Sequence, residues 1–561
     1  MTRPFKTWLA AAGSGLLALS GTGFAQEQPT ASVQEPLPLA PQVKGTRPKS
    51  DASVLAPAAT KLDPSLQNLA APATLALPNK PEQVRIAELR PLSLKDVENL
   101  AEVNNPNLKA IASQVDQAQS ELRTQISAWY PSLKLNANNL PVYTGGNYRI
   151  TRPSVDPSSG GFVRSPAEYG YTSRWNMDAN LQASWSLIDP KRVPDIAAAR
   201  DKFEQAKNQY LIALRDLRLQ AAQSYFQLQF ADENVRIGQD AVRASLVSLR
   251  DARARFQAGV ATKLEVLEAE TQLARDQQTL TDALASQSIA RRDLARLLDL
   301  PQNVSPTATQ PLRPLGVWTP SLQESVIAAY AFREELDNAL LEVSVANSQA
   351  NSSIADVQPF LTIFNNLRGS RYDGVDRIFV DQPGTSGWDL ENTIGLQASV
   401  TLFDGGAARA QYRKAKQRAQ ENSFRFASTR DQLRFDVEES FYQLRQSNRN
   451  IQTTSREVIS ARESLRLARL RFQAGVSTQR EVVDNQRDLT RAEINYSRSL
   501  ASYNNSLAEL RRRTGLDQVA VCQPASLGSQ KPVLDDMENI PVPPEPLQPA
   551  CQIPVPALPS S

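Results

Sequence analysis

The sequence contains no histidine and only two cysteines. Without histidine there can be no Ser/His/Asp or Cys/His triad, no His-ligated metal and no imidazole acid–base chemistry. Two cysteines cannot form a four-cysteine zinc site, and there is no recurrent acid pair, nucleophile–base set or Gly-rich phosphate loop. The chain carries 62 Lys and Arg against 59 Asp and Glu, so a general nucleic-acid partner lacks its electrostatic signature. We expect no catalytic residue, no metal and no cofactor.

The chain also lacks long apolar runs beyond its first residues. Residues 1–25 combine Arg3 and Lys6 with an apolar stretch and small residues before Ala25, which predicts a cleaved secretory signal peptide. A membrane-anchoring helix is the alternative, but it needs about 20 apolar residues. No later segment holds roughly 18 uninterrupted apolar residues. The exported chain should therefore be soluble or should cross an outer membrane as strands.

Proline divides the remaining chain into tails and helical units. Residues 26–90 and 518–561 are rich in proline and lack hydrophobic periodicity, so both are predicted to be flexible or polyproline-like extensions. The second tail carries Cys522 and Cys551, which could form a disulfide in an oxidising compartment; two free thiols are the alternative. Residues 301–318 are predicted to be a linker.

The middle of the chain is a tandem duplication. The motif Arg255–Val260 recurs as Arg471–Val476, and Ser224–Leu228 recurs at the same offset as Ser440–Leu444. Residues 91–300 and 319–517 are therefore predicted to be two copies of one unit.

Each copy contains a long helical stretch with a strict seven-residue apolar repeat, which implies left-handed supercoiling of packed helices. The stretch ends at Gly259 in the first copy and Gly475 in the second, where the chain must turn. Thr262 and Thr478 can then act as N-caps, with Glu265 and Glu481 completing capping boxes. Good turn chemistry alone would also explain these residues.

Each copy also contains amphipathic strands. Residues 175–187 and 388–402 alternate apolar and polar side chains, with Asn392 as the exception, and the weaker partner strands are predicted at 131–140 and 359–367. Such runs fit membrane-barrel strands, although a soluble sheet is the alternative. Four strands are too few for a closed membrane barrel, which needs about eight, so several chains must share it. Three chains would supply twelve strands.

This combination resembles the TolC family of outer-membrane efflux and export channels. The resemblance covers about 91–517 and includes the motif Arg-Phe-x-x-Gly-Val-x-Thr, present twice. It implies a mainly α fold with membrane β: a homotrimeric, TolC-like α/β-barrel with four strands and long coiled-coil helical hairpins per protomer, internally duplicated. Asn105-Pro106-Asn107-Leu108 is also family-like, whereas the second copy departs from it with Arg333-Glu334-Glu335-Leu336.

The resemblance also implies site roles. Family hairpin tips dock a periplasmic adaptor through positions occupied here by Gly259, Val260, Thr262, Gly475, Val476 and Thr478. Glu481 and Asp484 match acidic residues at the periplasmic entrance, where three copies would form negative rings; simple capping and a solvated helix face are the alternatives. Family gates are held by links from positions occupied by Phe472 and Ser477 toward Glu265, and Phe and Ser cannot form those hydrogen bonds.

The implied function is that of an outer-membrane channel subunit in a tripartite efflux or type I secretion system. It would provide a passive exit duct across periplasm and outer membrane, with its helices in the periplasm. Its partners would be two further copies, a periplasmic adaptor, an inner-membrane ABC or RND transporter and outer-membrane lipid, without nucleic acid. The alternatives are a periplasmic coiled-coil adaptor or scaffold protein and an enzyme bound to the cell surface.

Overall fold

The computed structural model describes residues 58–151, 153–164, 168–379, 385–516, 519–521 and 547–554. The predicted signal peptide and Cys522 lie outside these residues. The first copy begins with strand β1 (Glu88–Leu92), and its helices are α1 (Leu94–Asn104), α2 (Pro106–Ile126), α3 (Arg192–Gln257) and α4 (Lys263–Leu297). Between α2 and α3 the chain forms strands β2 (Ser132–Ile150), β3 (Pro153–Val155), β4 (Phe162–Arg164) and β5 (Glu168–Ile188).

The second copy repeats the same order of elements. It follows the short strands β6 (Val304–Ala308) and β7 (Gly316–Trp318), which lie in the predicted linker. Its helices are α5 (Leu322–Phe332), α6 (Glu334–Ala355), α7 (Ala407–Gln473) and α8 (Gln479–Thr514), and its long strands are β8 (Phe360–Phe379) and β9 (Thr385–Ser399). Strand β10 (Val519–Val521) follows. Among the described residues, no helix has the length and apolar character needed to span a membrane.

The four long strands form one antiparallel sheet in the order β2-β5-β8-β9. The weaker strand predictions were right in position and too short in length, because β2 and β8 continue to Ile150 and Phe379. Directly opposed pairs such as Leu181↔Leu367 and Ile363↔Leu396 place apolar side chains on one face. Within the described residues, β2 and β9 each lack a second neighbour, so this sheet has two open edges.

The long helices pair as hairpins, α3 with α4 and α7 with α8. The predicted apolar repeat faces inward in α7, where Val437, Leu444, Ile451, Val458, Leu465 and Phe472 are all buried. The accompanying small residues allow close approach: a Cβ added to Gly238 would lie 3.2 Å from the Leu280 Cα. Helix α3 has 66 residues, or about 100 Å at 1.5 Å per residue.

Each copy has its own core where its short helices meet the base of its hairpin. The core of the first copy includes the buried side chains of Leu100, Phe226 and Leu294. The core of the second copy includes those of Val437, Leu507 and Leu510.

Both tails contribute to these cores. Leu66 and Leu69, in a 3₁₀ turn at Pro64–Leu69, are buried in the first core. Ala550 and Ile553 are buried in the second core. The expectation of flexible or polyproline-like extensions therefore fails at Pro64–Leu69 and at Ala550–Ile553, because sparse apolar side chains in these proline-rich segments find buried positions. Residues 72–89 are exposed. Cys551 is disulfide-bonded. Its predicted partner, Cys522, lies outside the described residues, so the pairing stays a prediction.

The joints between the paired short helices differ in the two copies. In the first copy, the Asn105 side chain accepts hydrogen bonds from the backbone N–H groups of Asn107 and Leu108 and caps α2. In the second copy, Arg333 occupies this position and donates to Glu335. Glu335 also pairs with Arg512 of α8 at 2.9 Å, and Arg512 contacts Asp216 of α3. The sequence departure in the second copy thus builds a charge network that joins the two copies.

Candidate functional site at the hairpin tips

Both hairpins end in the same backbone turn. The Gly259 N–H donates to the Phe256 carbonyl and the Val260 N–H to the Arg255 carbonyl, each at 3.0 Å. Gly475 and Val476 repeat this arrangement with Phe472 and Arg471, which makes each tip a Schellman motif. The φ angles of Gly259 and Gly475 are +76° and +74°, and neither has a heavy atom within 4 Å of a built Cβ. Glycine is thus required by conformation here and not by crowding.

The residues after each glycine are presented to the outside. Val260 is 66% exposed and Val476 is 68% exposed. Thr262 and Thr478 are the N-cap residues of α4 and α8. The six positions predicted to dock an adaptor therefore lie together in two tip turns, each with an exposed apolar side chain beside a polar helix start.

The two glutamates of the repeated motif have different partners. Glu265 closes the predicted capping box, because its Oε1 accepts from the Thr262 N–H at 3.2 Å. Glu481 was predicted to do the same, and this is wrong. Its carboxylate accepts from Ser477 Oγ at 2.5 Å and from Arg471 Nη1 at 3.1 Å. The Glu481 carboxylate therefore binds the Ser477 hydroxyl and the Arg471 guanidinium instead of the backbone N–H of Thr478.

The two predicted entrance acids both have basic neighbours. Besides the Arg471–Glu481 pair, Asp484 lies 3.3 Å from Arg487 and 3.8 Å from Arg480. All of these side chains are at least one-third exposed, so each pair contributes little to stability. The arginines nevertheless offset the negative charge of the acids in this conformation.

The two hairpins contact each other near their tips through Phe472 and three residues that were assigned no gate role from the sequence. The Arg255 guanidinium lies 4.4 Å from the centre of the Phe472 ring, and its Nη1 donates to the Phe472 carbonyl at 3.3 Å. Gln479 Nε2 donates to Ser248 Oγ at 2.5 Å. We call these two links the inter-hairpin contact. It joins α3 of the first copy to the tip region of the second.

The inter-hairpin contact differs from the gate links of the family, whose hydrogen bonds Phe472 and Ser477 were predicted not to form. Glu265 is bonded to its own cap, and Ser477 donates to Glu481; only Phe472 among the three predicted gate residues joins the hairpins. Arg255 stands in the repeated motif and could have been suspected from it. Ser248 and Gln479 carry no sequence signal, because nothing in the chain indicates which faces of two hairpins meet.

The inter-hairpin contact borders a groove of about 710 Å³ that is lined by α3, α4, α7 and the start of α8. Arg469 lines it, and burial lowers the pKa of its guanidinium. Its partner is the neutral Gln486, at 2.9 Å. Throughout the described part of the chain, no group of three or more His, Cys, Asp or Glu residues could hold a metal ion.

Comparisons with known proteins agree with this architecture. The family model described as outer membrane efflux protein matches residues 97–299 and 328–516. "Outer membrane protein TolC" of Vibrio cholerae serotype O1 is 22% identical over 433 residues, covering 75% of this chain and 90% of that protein. "Pyoverdine export outer membrane protein OpmQ" of Pseudomonas putida is 27% identical over 403 residues, covering 70% and 79%. The crystal structure of VceC from Vibrio cholerae, at 17% identity, aligns with a TM-score of 0.57 over 75% of this chain and 96% of that one.

Proposed function

The chain belongs to the outer membrane efflux protein family, and from this premise we propose that it is the passive exit duct of a tripartite efflux or type I secretion system. The observation that carries the proposal is the duplicated unit itself. Each copy contributes two long strands at one end and a hairpin of roughly 100 Å at the other. That length suits a channel in the outer membrane whose helical part lies in the periplasm.

The duct is completed by three copies of the chain. TolC-family channels are homotrimers. The open edges β2 and β9 of the four-stranded sheet would pair between neighbours, because four strands cannot close alone while a cyclic trimer leaves no edge.

At the periplasmic end, we assign adaptor docking to the tip residues Gly259, Val260, Thr262, Gly475, Val476 and Thr478. The exposed valines offer apolar anchors, and the open space around both glycines admits a partner backbone. The specific adaptor and the inner-membrane transporter, of ABC or RND class, would supply selectivity and energy. The duct itself would perform no catalytic step.

The inter-hairpin contact is our candidate for what holds the entrance closed. Arg255 places a cation against the carbonyl end of α7, where the helix dipole favours positive charge. A cation–π contact contributes about 0.5–2 kcal/mol, and a charge-assisted hydrogen bond about 1.5–3 kcal/mol. Glu481 and Asp484 are our candidates for negative rings at the entrance, where Arg471, Arg480 and Arg487 of the same hairpin would offset part of their charge.

A scaffold or adaptor would also have helical hairpins, so the decisive experiment concerns assembly in the membrane. We expect the membrane-extracted protein to migrate as a trimer that becomes a monomer only on heating. A strictly monomeric protein that needs no detergent would contradict the duct. Crosslinking in cells, followed by purification, should then recover an adaptor and a transporter through the tips.

A further inference from the structure

The apolar face of the four-stranded sheet has a regular cross-strand arrangement. The register aligns Leu135, Leu181, Leu367 and Asn392 in one row, and Leu133, Ala183, Asn365 and Ile394 in the row below. Many of its large side chains are strongly exposed, including Leu135, Ile394, Leu396 and Leu390. A face of this kind suits lipid, since contiguous exposed apolar surface marks a membrane or partner contact.

Aromatic side chains border this face at both ends. At the helix-bearing end, Trp185 Nε1 donates to the Trp129 carbonyl at 3.0 Å. At the far end, Trp175 packs against Tyr143 with ring centres 5.0 Å apart, and Trp388 lies one row below them. Trp185 and Trp175 are separated by about 33 Å of strand, or about 25 Å at a typical tilt, which matches the apolar band of outer-membrane barrels. Since the helices lie in the periplasm, the far end faces the outer leaflet.

An arginine lies at each aromatic border, and these two arginines differ in their partners. At the inner border, Arg192 is buried, lies 4.3 Å from the Trp129 ring centre and donates to the Ser186 carbonyl. At the outer border, the register places Arg371 between Met177 and Trp388 on the apolar face. Arg371 is half-buried and forms no ion pair with any described carboxylate. Asp373 lies on the same face, one row farther out, without reaching it.

We propose that Arg371 binds the phosphate group of anionic lipids in the outer leaflet. This inference rests on the proposed function, since it needs the sheet in a membrane. A guanidinium matches phosphate oxygens in a bidentate geometry, and Trp388 and Trp175 place the headgroup boundary at the same level. The apolar rows below Arg371 accommodate the acyl chains, so the ligand is a phosphorylated lipid and not free phosphate.

The test uses detergent-extracted trimers reconstituted in phosphatidylcholine vesicles with or without phosphatidic acid. Native mass spectrometry then measures how far each bound lipid is enriched over its share in the vesicle. Wild type should enrich phosphatidic acid. Arg371→Gln should lower the enrichment about fivefold per site, which corresponds to the roughly 1 kcal/mol typical of an arginine near a lipid surface. Arg371→Lys should give an intermediate loss, because lysine keeps the positive charge but cannot bind phosphate in a bidentate geometry.

Arg368→Gln is the matched control. Arg368 lies on the same strand but opposite Asn180 and Glu391, on the polar face, and its loss should leave the enrichment unchanged. The proposal is overturned if wild type does not enrich phosphatidic acid, or if Arg371→Gln and Arg368→Gln lower the enrichment equally. It is also overturned if millimolar inorganic phosphate abolishes the enrichment. Failure of wild type to insert into either vesicle would instead overturn the proposed function. Heat-modifiable migration of each variant checks that the trimer is intact.

Discussion

The two hairpin tips share one motif and one backbone turn but use their side chains differently. Arg255 reaches across to Phe472 of the other hairpin, whereas its counterpart Arg471 pairs with Glu481 in its own tip. Phe472 is 9% exposed, and its counterpart Phe256 is 45% exposed. The motif thus determines the backbone turn at each tip. The contacts of the long side chains depend instead on which hairpin lies nearest to them.

This difference gives the tips unequal roles. The second tip is held at Phe472 and Gln479 by the first copy, while the first tip is held chiefly by its own capping box at Thr262 and Glu265. We infer that the second hairpin moves against the first when the entrance opens. The joints between the short helices show a similar contrast, with an asparagine cap in the first copy and a charge network in the second.

The largest expected effect comes from breaking the feature that the tips share. Gly475→Arg places a bulky cation in the turn that we propose for adaptor docking, and a side chain on left-handed backbone at a cost of about 1–2 kcal/mol. We expect export to be abolished while trimers remain in the membrane, measured by cargo efflux and gel migration. Gly160→Arg is the control, because Gly160 also has a positive φ and open space but lies in the turn between β3 and β4. Normal export in Gly475→Arg would show that the repeated motif forms a turn but does not dock an adaptor.

The next-largest effect is a difference in stability between variants of Phe472 and of its counterpart Phe256. Phe472→Ala removes a buried ring that packs with Leu465, Ala468 and Val482, so it should destabilise the second tip by about 3 kcal/mol. Phe256→Ala should cost under about 1 kcal/mol, since its ring is largely exposed. Hydrogen exchange of the tip amides in the intact trimer measures both. Equal losses of protection would show that the hairpins do not differ as described.

Acid should destabilise the joint between α5 and α6 in the second copy but not the joint between α1 and α2 in the first copy. Burial would raise the pKa of Glu335, but the hydrogen bond and charge of Arg333, with Arg512, outweigh it and lower the pKa to about 2. A lowered carboxyl pKa stabilises the fold above the ordinary value of 4.5, and this contribution is lost as the pH falls toward 2. The loss should reach about 3 kcal/mol, measured by thermal unfolding across this range.

Two variants test the assignment of this acid effect. Glu335→Gln should flatten the pH dependence in that window. Asn105→Ala should cost about 1 kcal/mol at every pH, because an asparagine cap does not titrate. An acid profile unchanged by Glu335→Gln would place the sensitivity elsewhere.

The smallest effect concerns ion selectivity. The pair Glu481→Ala and Asp484→Ala should reduce cation preference and block by multivalent cations by only a few-fold in planar bilayers, because arginines already offset both acids. Glu265→Ala, the equivalent change at the first tip, should leave selectivity unchanged. Identical ion selectivity in wild type, in the double variant and in Glu265→Ala would refute the acidic rings.

The sequence predicted what repeats locally. The tandem copies, the long hairpins, both glycine turns and the alternating strands follow from motif, heptad and period-two patterns, and the structure contains them. It could not predict which partner a long side chain selects, so the second capping box was wrong and Ser248 and Gln479 were missed. It also treated proline-rich tails as flexible, because two apolar side chains such as Leu66 and Leu69 create no periodic signal before they are buried.

The most direct test of the account is the single-channel conductance of the purified trimer in a planar bilayer. The inter-hairpin contact predicts a small conductance for wild type and a conductance several-fold larger for Arg255→Ala combined with Gln479→Ala. Arg253→Ala, which breaks only the surface pair with Glu270 within the first hairpin, should conduct like wild type. If the double variant and wild type conduct equally, or if no channels form, these contacts do not close the entrance of an exit duct.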